Sequence, residues 1–290
     1  MNVLVCGARG FIGSAITKAL IQAGHTVVLG VSQKISLKSI QIDYVNDTDV
    51  ATWLPRLAGV DAVVNAIGVL RDTAKRPMQQ IHTDTPMALF DACAAAGVRR
   101  VIQISALGIA DSSTQYARSK CVADAHLLSL NQQGLLNGVI LRPSMVFGRG
   151  GDSSTLFINL AKLPLLVLPR AVIETRVQPV SVHELSEVVA RLVNSDLSGM
   201  IECAGPAALK MGDFIGSLRE QTGKKAAPSF ALPHWLTQLS AVAGDKIPAS
   251  PWCSEALALL ASDNISQANE YRSILGRVPT HYSGLLALDK

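Results

Sequence analysis

A tyrosine and a lysine four residues apart, Tyr116 and Lys120, have the types and spacing that suit proton transfer. On a helix, side chains at this spacing lie one turn apart on the same face. An ammonium group beside a phenol favours the phenolate and lowers the tyrosine pKa from its usual value of about 10. We therefore predict that Tyr116 is a general acid or base and that Lys120 tunes it. Taken alone, the pair is also typical of an ordinary helix surface.

Ser105 adds a hydroxyl group to this pair. It follows residues 100–104, an apolar run that predicts a strand, and it precedes Tyr116 in the chain. We predict that Ser105 orients a substrate oxygen, although a serine that ends a strand is commonly only a turn residue.

A second predicted strand, residues 60–65, ends at the polar residue Asn65. The carboxyl ends of parallel strands meet at one edge of a sheet, where ligands bind in open α/β folds. Asn65, Ala66 and Gly68 are therefore predicted to lie at a binding edge.

The elements that must position these groups begin with a glycine-rich turn at the start of the chain. Apolar residues 3–6 predict a strand, and the helical pattern that follows the turn ends at Gly24. Glycines at such a turn let main-chain N–H groups and a helix N-terminus approach a pyrophosphate. The sequence therefore predicts a dinucleotide site at Gly7, Arg9, Gly10, Phe11, Ile12 and Gly13, with an ordinary structural turn as the alternative.

The end of the next predicted strand, residues 26–31, favours NADP(H) over NAD(H). An acidic residue there would accept from the ribose hydroxyls and repel a 2′-phosphate, but the chain has Val31 and Ser32. Arg9 and Lys34 supply cations that suit a phosphate dianion, as does Lys38. Asp43 is either a contact for the adenine amino group or a turn residue.

Composition bounds the class of protein. The chain has 290 residues, 49% of them hydrophobic, and a net charge of +4 that is scattered along the sequence. This distribution argues against a nucleic-acid-binding arm or a polybasic patch. Five unpaired cysteines and dispersed histidines predict neither a disulfide framework nor a metal site. The start of the chain does not resemble a secretory signal, so a cytoplasmic location is expected.

The order of the three glycines, Asn65, Ser105, Tyr116 and Lys120 resembles the short-chain dehydrogenase/reductase superfamily, in its extended or atypical branch (NAD-dependent epimerase/dehydratase-like). The resemblance implies an α/β Rossmann-type, doubly wound parallel sheet with a smaller C-terminal substrate lobe. It places the nucleotide-binding domain at residues 1–147, completed near 176–205, and the lobe at 148–175 and 206–290. Residues 141–148 resemble the strand and turn that lead into the lobe, and Pro143 is predicted there as a cofactor contact.

Residues 104–108, 116–120 and 176–185 show a closer resemblance, to bacterial relatives of the nucleotide-binding accessory subunit of respiratory complex I. Residues near the end, 262–264 and 275–280, fit it too. In that subunit NADPH is held tightly and structurally, which implies an alternative function as a non-catalytic assembly protein.

His82 departs from the pattern of sugar-nucleotide epimerases, which carry an asparagine that organises a proton-relay water at this point. Two roles follow from the residue type. The histidine either takes over the relay or fills space on a helix face.

Three apolar stretches, 156–169, 230–242 and 252–261, mark the lobe, and none is long enough for a membrane span. They predict buried elements, a wall around an apolar substrate, or a docking surface for a membrane or protein partner. Few cations lie near them, so a quinone-like, isoprenoid or other apolar carbonyl compound is favoured over a sugar diphosphate. The sequence thus predicts an NADP(H)-dependent oxidoreductase, with an assembly protein and a sugar-nucleotide epimerase or dehydratase as alternatives. It leaves the oligomeric state open.

Overall fold

A computed structural model of the chain describes residues 1–33, 36, 38–225, 227–247, 252–260, 262–268 and 270–289. Its strands, in chain order, are β1 Asn2–Cys6, β2 Thr26–Val31, β3 Ser39–Gln41, β4 Ala62–Asn65, β5 Arg100–Ile104, β6 Asn137–Pro143, β7 Val146–Phe147, β8 Leu166–Pro169, β9 Arg176–Val177, β10 Val180–Ser181, β11 Gly199–Cys203, β12 Leu209–Lys210 and β13 Ser229–Leu232.

The α-helices alternate with these strands over most of the chain. They are α1 Phe11–Gln22, α2 Val50–Trp53, α3 Thr85–Ala96, α4 Gln115–Gln132, α5 Asp152–Lys162, α6 Arg170–Glu174, α7 Val182–Leu192, α8 Met211–Glu220, α9 His234–Asp245, α10 Ser254–Leu259 and α11 Glu270–Leu275. Short 3₁₀ segments lie at Leu54–Leu57, Ile109–Asp111 and Tyr282–Asp289, and a π-helical turn at Gln80–Asp84 leads into α3.

Seven strands form one parallel sheet in the order β11-β6-β5-β4-β1-β2-β3. The chain moves outward from β1 to β3 and then returns to the other side of β1 with β4. This reversal leaves a crevice at the carboxyl ends of β1 and β4, where Cys6 is in register with Asn65. The arrangement confirms the predicted Rossmann-type α/β fold.

Both faces of the sheet are buried, as the alternation along β1 shows. Val3 and Val5 belong to the core beneath α1 and α7, whereas Leu4 and Cys6 belong to the core beneath α2, α3 and α4. Helix α11 packs on α7 and β11, with Tyr271 buried in the first core. This helix therefore lies with the large sheet, although it belongs to the segment 206–290 that the sequence assigns to the lobe.

A third core lies beside the sheet and is built around three aromatic rings. Phe147 and Phe157 both meet Phe214 edge to face, at centroid distances of 5.4 and 6.2 Å. Helices α5 and α8 pack together here, and Leu285 near the chain end joins them. The apolar stretch 156–169 thus forms most of α5 together with β8. Within the described residues, no helix has both the length and the apolar character needed to cross a membrane.

Candidate active site

The turn between β1 and α1 is shaped by its glycines. Gly7 has a φ of +80°, which L side chains rarely adopt, and a Cβ on Gly13 would lie 2.1 Å from the Gly7 carbonyl oxygen. Helix α1 starts at Phe11, and its N-cap Gly10 offers no side-chain acceptor. The first N–H groups of the helix therefore remain available to a phosphate group, as in dinucleotide-binding turns.

The predicted phosphate readers lie at the surface near this turn. Arg9 is exposed and forms no hydrogen bond or ion pair within the described part of the chain. Ser32 follows β2 and is exposed, as is Lys38. Lys34 lies outside the described residues.

Asp43 is exposed just beyond β3, at the same edge of the sheet. Its carboxylate accepts from the side chain of Asn46 and from the Val45 N–H, and these hydrogen bonds, that of Asn46 first, lower its pKa. The geometry is that of a turn residue, and the exposed carboxylate still leaves room for an adenine contact.

Asn65 ends β4 but turns its amide into the protein. It is fully buried, accepts from the Tyr44 hydroxyl at 2.8 Å and donates to Gln103 at 2.8 Å. Its side chain therefore braces the strand ends rather than facing the crevice. The Ala66 N–H donates to the Cys6 carbonyl, which joins the edges of β1 and β4, and Gly68, two residues further on, is exposed.

Helix α4 carries Tyr116 and Lys120 on one face, as the spacing predicts. The Lys120 ammonium lies 5.7 Å from the centroid of the Tyr116 ring and donates to the Ile104 carbonyl at 3.2 Å. Thr114 caps the helix, and the carboxylate of Glu255, from α10, accepts from the Tyr116 N–H at 2.7 Å. The Tyr116 hydroxyl itself makes no hydrogen bond to a described residue.

The electrostatics of the pair differ from the sequence-based expectation. Burial, followed by the charge of Asp124, raises the pKa of Tyr116 well above its usual value instead of lowering it. Burial lowers the pKa of Lys120 to about 8, and Asp124 opposes this shift. Tyr116 is therefore a neutral phenol at physiological pH, a form suited to donating a proton.

Ser105 is buried beside β5 and its hydroxyl is engaged. It donates to Asp124 at 2.8 Å, and the same carboxylate oxygen accepts twice from Arg142. Ser105 is not among the residues that line the cavity beside Tyr116. The structure therefore brings Tyr116 and Lys120 together but does not direct the Ser105 hydroxyl toward them.

His82 lies in the π-helical turn, 2% exposed, with its ring edge to face with that of Tyr116. Its Nε2 accepts from the Val69 N–H at 2.9 Å, so the proton is on Nδ1, which donates to Ser119. Burial, aided by the charge of Lys120, lowers the pKa of His82 to about 3. Both ring nitrogens are thus occupied, which favours the space-filling interpretation over the proton relay.

This burial predicts acid sensitivity. In the unfolded chain the His82 pKa returns to 6.5, so stability is lost as pH falls from there toward about 3. At pH 5 the loss relative to neutral pH is about 2 kcal/mol. Urea unfolding of His82→Gln at pH 7.5 and pH 5 is expected to show a smaller pH dependence than wild type. The exposed His234→Gln serves as control, and an equal dependence in all three proteins would contradict the assignment.

An apolar cavity of about 500 Å³ lies between the sheet edge and the third core. Tyr116 and Pro143 form its wall on the sheet side, and no lysine or arginine of the described residues lines it. Among the described lining residues the one acid is Asp263, whose carboxylate accepts from the Arg176 N–H. The remaining wall is mainly aliphatic and aromatic, as Leu107, Ile109, Leu156, Phe157, Leu160, Val172, Leu232, Trp252 and Leu259 illustrate.

Ser112 is a wall residue that the sequence interpretation passed over. It lies in the loop before α4, four positions ahead of Tyr116, and its hydroxyl is 3.1 Å from that of Thr114. The sequence feature that could have identified Ser112 is its position between β5 and the helix that carries Tyr116.

The outer wall of the cavity is tied to the sheet domain by two polar groups. Arg71, in the loop after β4, donates to the carbonyls of Gly244, Ile247 and Trp252 at 2.9 to 3.0 Å. Glu255 caps α4 as described above. Helices α9 and α10 are thereby held over the cavity.

With this geometry established, comparison with known proteins identifies the family. The model of the NAD-dependent epimerase/dehydratase family matches residues 3–167, more than half of the chain. The chain belongs to this family. Membership confirms the resemblance to the extended short-chain dehydrogenases/reductases and an NAD(P)-binding fold. Within the described ranges, no three or more histidine, cysteine or acidic side chains are grouped so that they could bind a metal ion.

Among individual family relatives, the ceramide reductase of Caulobacter vibrioides is 25% identical over 69% of this chain and 63% of its own length. Subunit 9 of the mitochondrial NADH dehydrogenase (ubiquinone) 1 alpha subcomplex of Rattus norvegicus is 24% identical over 87% of this chain and 69% of its own. The chain thus spans less than two thirds of the first of these relatives.

Solved structures confirm the fold over nearly the whole chain. The UDP-N-acetylglucosamine 4-epimerase of Bacillus cereus superposes with a TM-score of 0.73 at 14% identity and covers 99% of both chains. The NADPH-dependent quinone oxidoreductase QOR2 of Escherichia coli, complexed with NADPH, gives 0.72 at 15% identity, again over 99% of both. An epimerase and a reductase thus share the fold of this chain.

Proposed function

We propose that this chain is an NADP(H)-dependent reductase of an apolar carbonyl compound. The observation that carries the proposal is the apolar cavity of about 500 Å³, which is lined by Tyr116, a residue whose hydroxyl has no hydrogen-bond partner among the described residues. A cavity of this size suits a small or medium-sized ligand.

The residues at the sheet edge fit a dinucleotide. The glycine turn leaves no room for a Cβ at Gly13, and α1 offers uncapped N–H groups to a pyrophosphate. Arg9 stands beside that turn as an exposed cation, and no acid follows β2, which supports a preference for the 2′-phosphate of NADP(H).

When bound, NADPH supplies the hydride for carbonyl reduction. The Tyr116 phenol donates its proton to the carbonyl oxygen as negative charge develops there. The Lys120 ammonium, 5.7 Å from the ring, stabilises the phenolate left behind. Ser112 supplies the orienting hydroxyl, while Ser105 acts indirectly by holding Asp124 near Lys120.

The residue types of the cavity wall also support an apolar substrate. A sugar diphosphate needs cations or several donors around its phosphates, and the cavity wall includes neither lysine nor arginine among its described residues. The ceramide reductase relative, by its name, acts on a lipid. These points favour an apolar ketone over a sugar nucleotide.

A series of straight-chain methyl ketones that differ by one methylene group tests this proposal. Each methylene buried in the cavity is worth about 0.8 kcal/mol, so kcat/KM with NADPH should rise about fourfold per carbon until the cavity is full. Added UDP-glucose should neither inhibit nor raise the melting temperature. A flat chain-length profile together with protection by UDP-glucose would instead favour an epimerase.

A non-catalytic NADPH-holding protein is the second candidate. It is favoured by the long match to the complex I subunit and by the engagement of Ser105 with Asp124. On this alternative, NADPH remains bound through purification, no ketone is turned over, and a protein partner co-purifies.

Arg9→Ala tests the cofactor preference. Loss of a charge-assisted contact to the 2′-phosphate should weaken NADPH binding about tenfold or more and leave NADH binding nearly unchanged. Titration calorimetry with both nucleotides measures the ratio, and Arg118→Ala, an exposed arginine of α4, is the control. An unchanged ratio would remove Arg9 from the phosphate site.

A further inference from the structure

Helix α9 has its hydrophobic pattern reversed relative to a normal surface helix. Small residues face inward: Ala241 and Gly244 are buried, and a Cβ on Gly244 would lie 2.2 Å from the Trp252 carbonyl oxygen. The large apolar residues face outward, with Trp235 67%, Leu239 59% and Val242 52% exposed. Their spacing of four and three residues places them on one stripe. The helix thus presents an apolar face with no partner within the described chain.

The paired strands β8 and β13 add to this face. Phe230 and Val167 are neighbours in the register of the pair, and both are more than half exposed. Because β13 ends at Leu232 and α9 begins at His234, Phe230 of the strand pair lies close in the chain to the exposed residues of the helix. We call Val167, Phe230, Trp235, Leu239 and Val242 the apolar face.

The charges around the apolar face have one predominant sign. Residues 162–170 and 224–247 contain five cations, Lys162, Arg170, Lys224, Lys225 and Lys246, and one acid, Asp245. All five cations are exposed, whereas the Asp245 carboxylate accepts twice from Ser254. Arg219 donates to the carbonyls of both Lys225 and Leu163, which holds this basic turn beside the exposed loop before β8.

We propose that the apolar face docks on a lipid bilayer that contains anionic lipids. Large apolar side chains enter the boundary between headgroups and acyl chains, and surrounding lysines are attracted to anionic headgroups. A second copy of the chain would carry the same excess of cations and be repelled. Large exposed apolar side chains flanked by lysines are the combination that an anionic bilayer binds, so we assign the bilayer as the occupant.

The inner side of the same helix belongs to the cavity. Ser240 of α9 and Leu232 at the end of β13 both line it. A docked α9 would therefore lie between the acyl chains and the cavity, and an apolar substrate could pass from lipid to protein without crossing bulk water. This last step rests on the proposed reductase function, whereas the docking itself does not.

The tryptophans of the chain provide a probe of the docking. Trp53 is buried and Trp252 is partly buried, so Trp235 is the tryptophan most exposed to water in the described structure. Vesicles of phosphatidylcholine with about one third phosphatidylglycerol should shift its emission to shorter wavelength and carry the protein into the vesicle pellet. Pure phosphatidylcholine vesicles or high salt should weaken the binding.

Two sets of substitutions separate the apolar contribution to vesicle binding from the electrostatic one. Leu239→Ser with Val242→Ser should reduce binding to the anionic vesicles at least about tenfold and leave the melting temperature nearly unchanged, because both residues are exposed. Lys224→Gln, Lys225→Gln and Lys246→Gln together should abolish the preference for anionic lipid. The matched control is Leu135→Ser with Leu197→Ser, two exposed leucines outside the apolar face.

Absence of vesicle binding by the wild-type protein, or binding that survives Leu239→Ser with Val242→Ser, would overturn the proposal. A second result would also overturn it: no vesicle binding, together with a dimer in solution that Leu239→Ser with Val242→Ser dissociates. That result would assign the apolar face to a second copy of the chain. Ketone reductase activity in detergent-free buffer, measured separately, tests the proposed function independently of docking.

Discussion

Tyr116→Phe should lower ketone reductase turnover by about a hundredfold to ten-thousandfold, the usual contribution of a positioned general acid. The substitution removes only the hydroxyl of a residue that lines the cavity, and that hydroxyl holds no other described group in place. The ring contacts with His82 and Lys120 remain. Stability and NADPH affinity are therefore expected to change little.

The measurement is single-turnover oxidation of NADPH by an apolar ketone, together with a fluorescence titration of NADPH binding. Tyr282→Phe, which changes a partly buried tyrosine elsewhere in the chain, controls for the loss of a phenol. Turnover of Tyr116→Phe equal to that of wild type would exclude Tyr116 as the acid.

Gly13→Ala should reduce NADPH affinity at least about a hundredfold, since the new Cβ cannot be placed without moving the turn. It would lie 2.1 Å from the Gly7 carbonyl oxygen and 2.8 Å from the Gly7 carbonyl carbon, both rigid backbone atoms. Relief requires α1 to move away from β1, which displaces the N–H groups that bind the pyrophosphate. The variant should also be less stable toward urea.

Gly216→Ala is the matched control because it is also a helical glycine, in α8, but one whose new Cβ would meet nothing within 4 Å. Alanine should stabilise that helix by about 0.5–1 kcal/mol and leave NADPH binding unchanged. Affinity of Gly13→Ala within about threefold of wild type would show that the turn does not hold the nucleotide.

The central fold could be predicted from sequence because its signals are local. Strand β5 has the predicted bounds of residues 100–104, and the glycine turn joins β1 to α1 as predicted. Residues 50–57 have an apolar pattern typical of a single helix, but in the structure they divide into α2 and a 3₁₀ turn at Leu54–Leu57. Pro55 lies in the first turn of that segment and cannot donate a helical hydrogen bond.

The candidate site was predictable only in part, because its chemistry depends on groups that are distant in sequence. Spacing alone places Tyr116 and Lys120 together, but the engagement of Ser105 depends on Asp124 and Arg142. Likewise, the neutral state of His82 follows from its hydrogen bonds and its burial. Spacing also cannot give the sign of the Tyr116 pKa shift, because burial is a property of the assembled fold.

The anchoring of the outer wall by Arg71 and Glu255 has a consequence for how the cavity exchanges its contents. Helices α9 and α10 contribute little to the three buried cores, so their detachment exposes little apolar surface. Release of this wall breaks the hydrogen bonds that Arg71 and Glu255 form within the described chain and does not require unpairing of the seven-stranded sheet. We therefore expect the wall to open as a unit of local unfolding, at a fraction of the global free energy of unfolding.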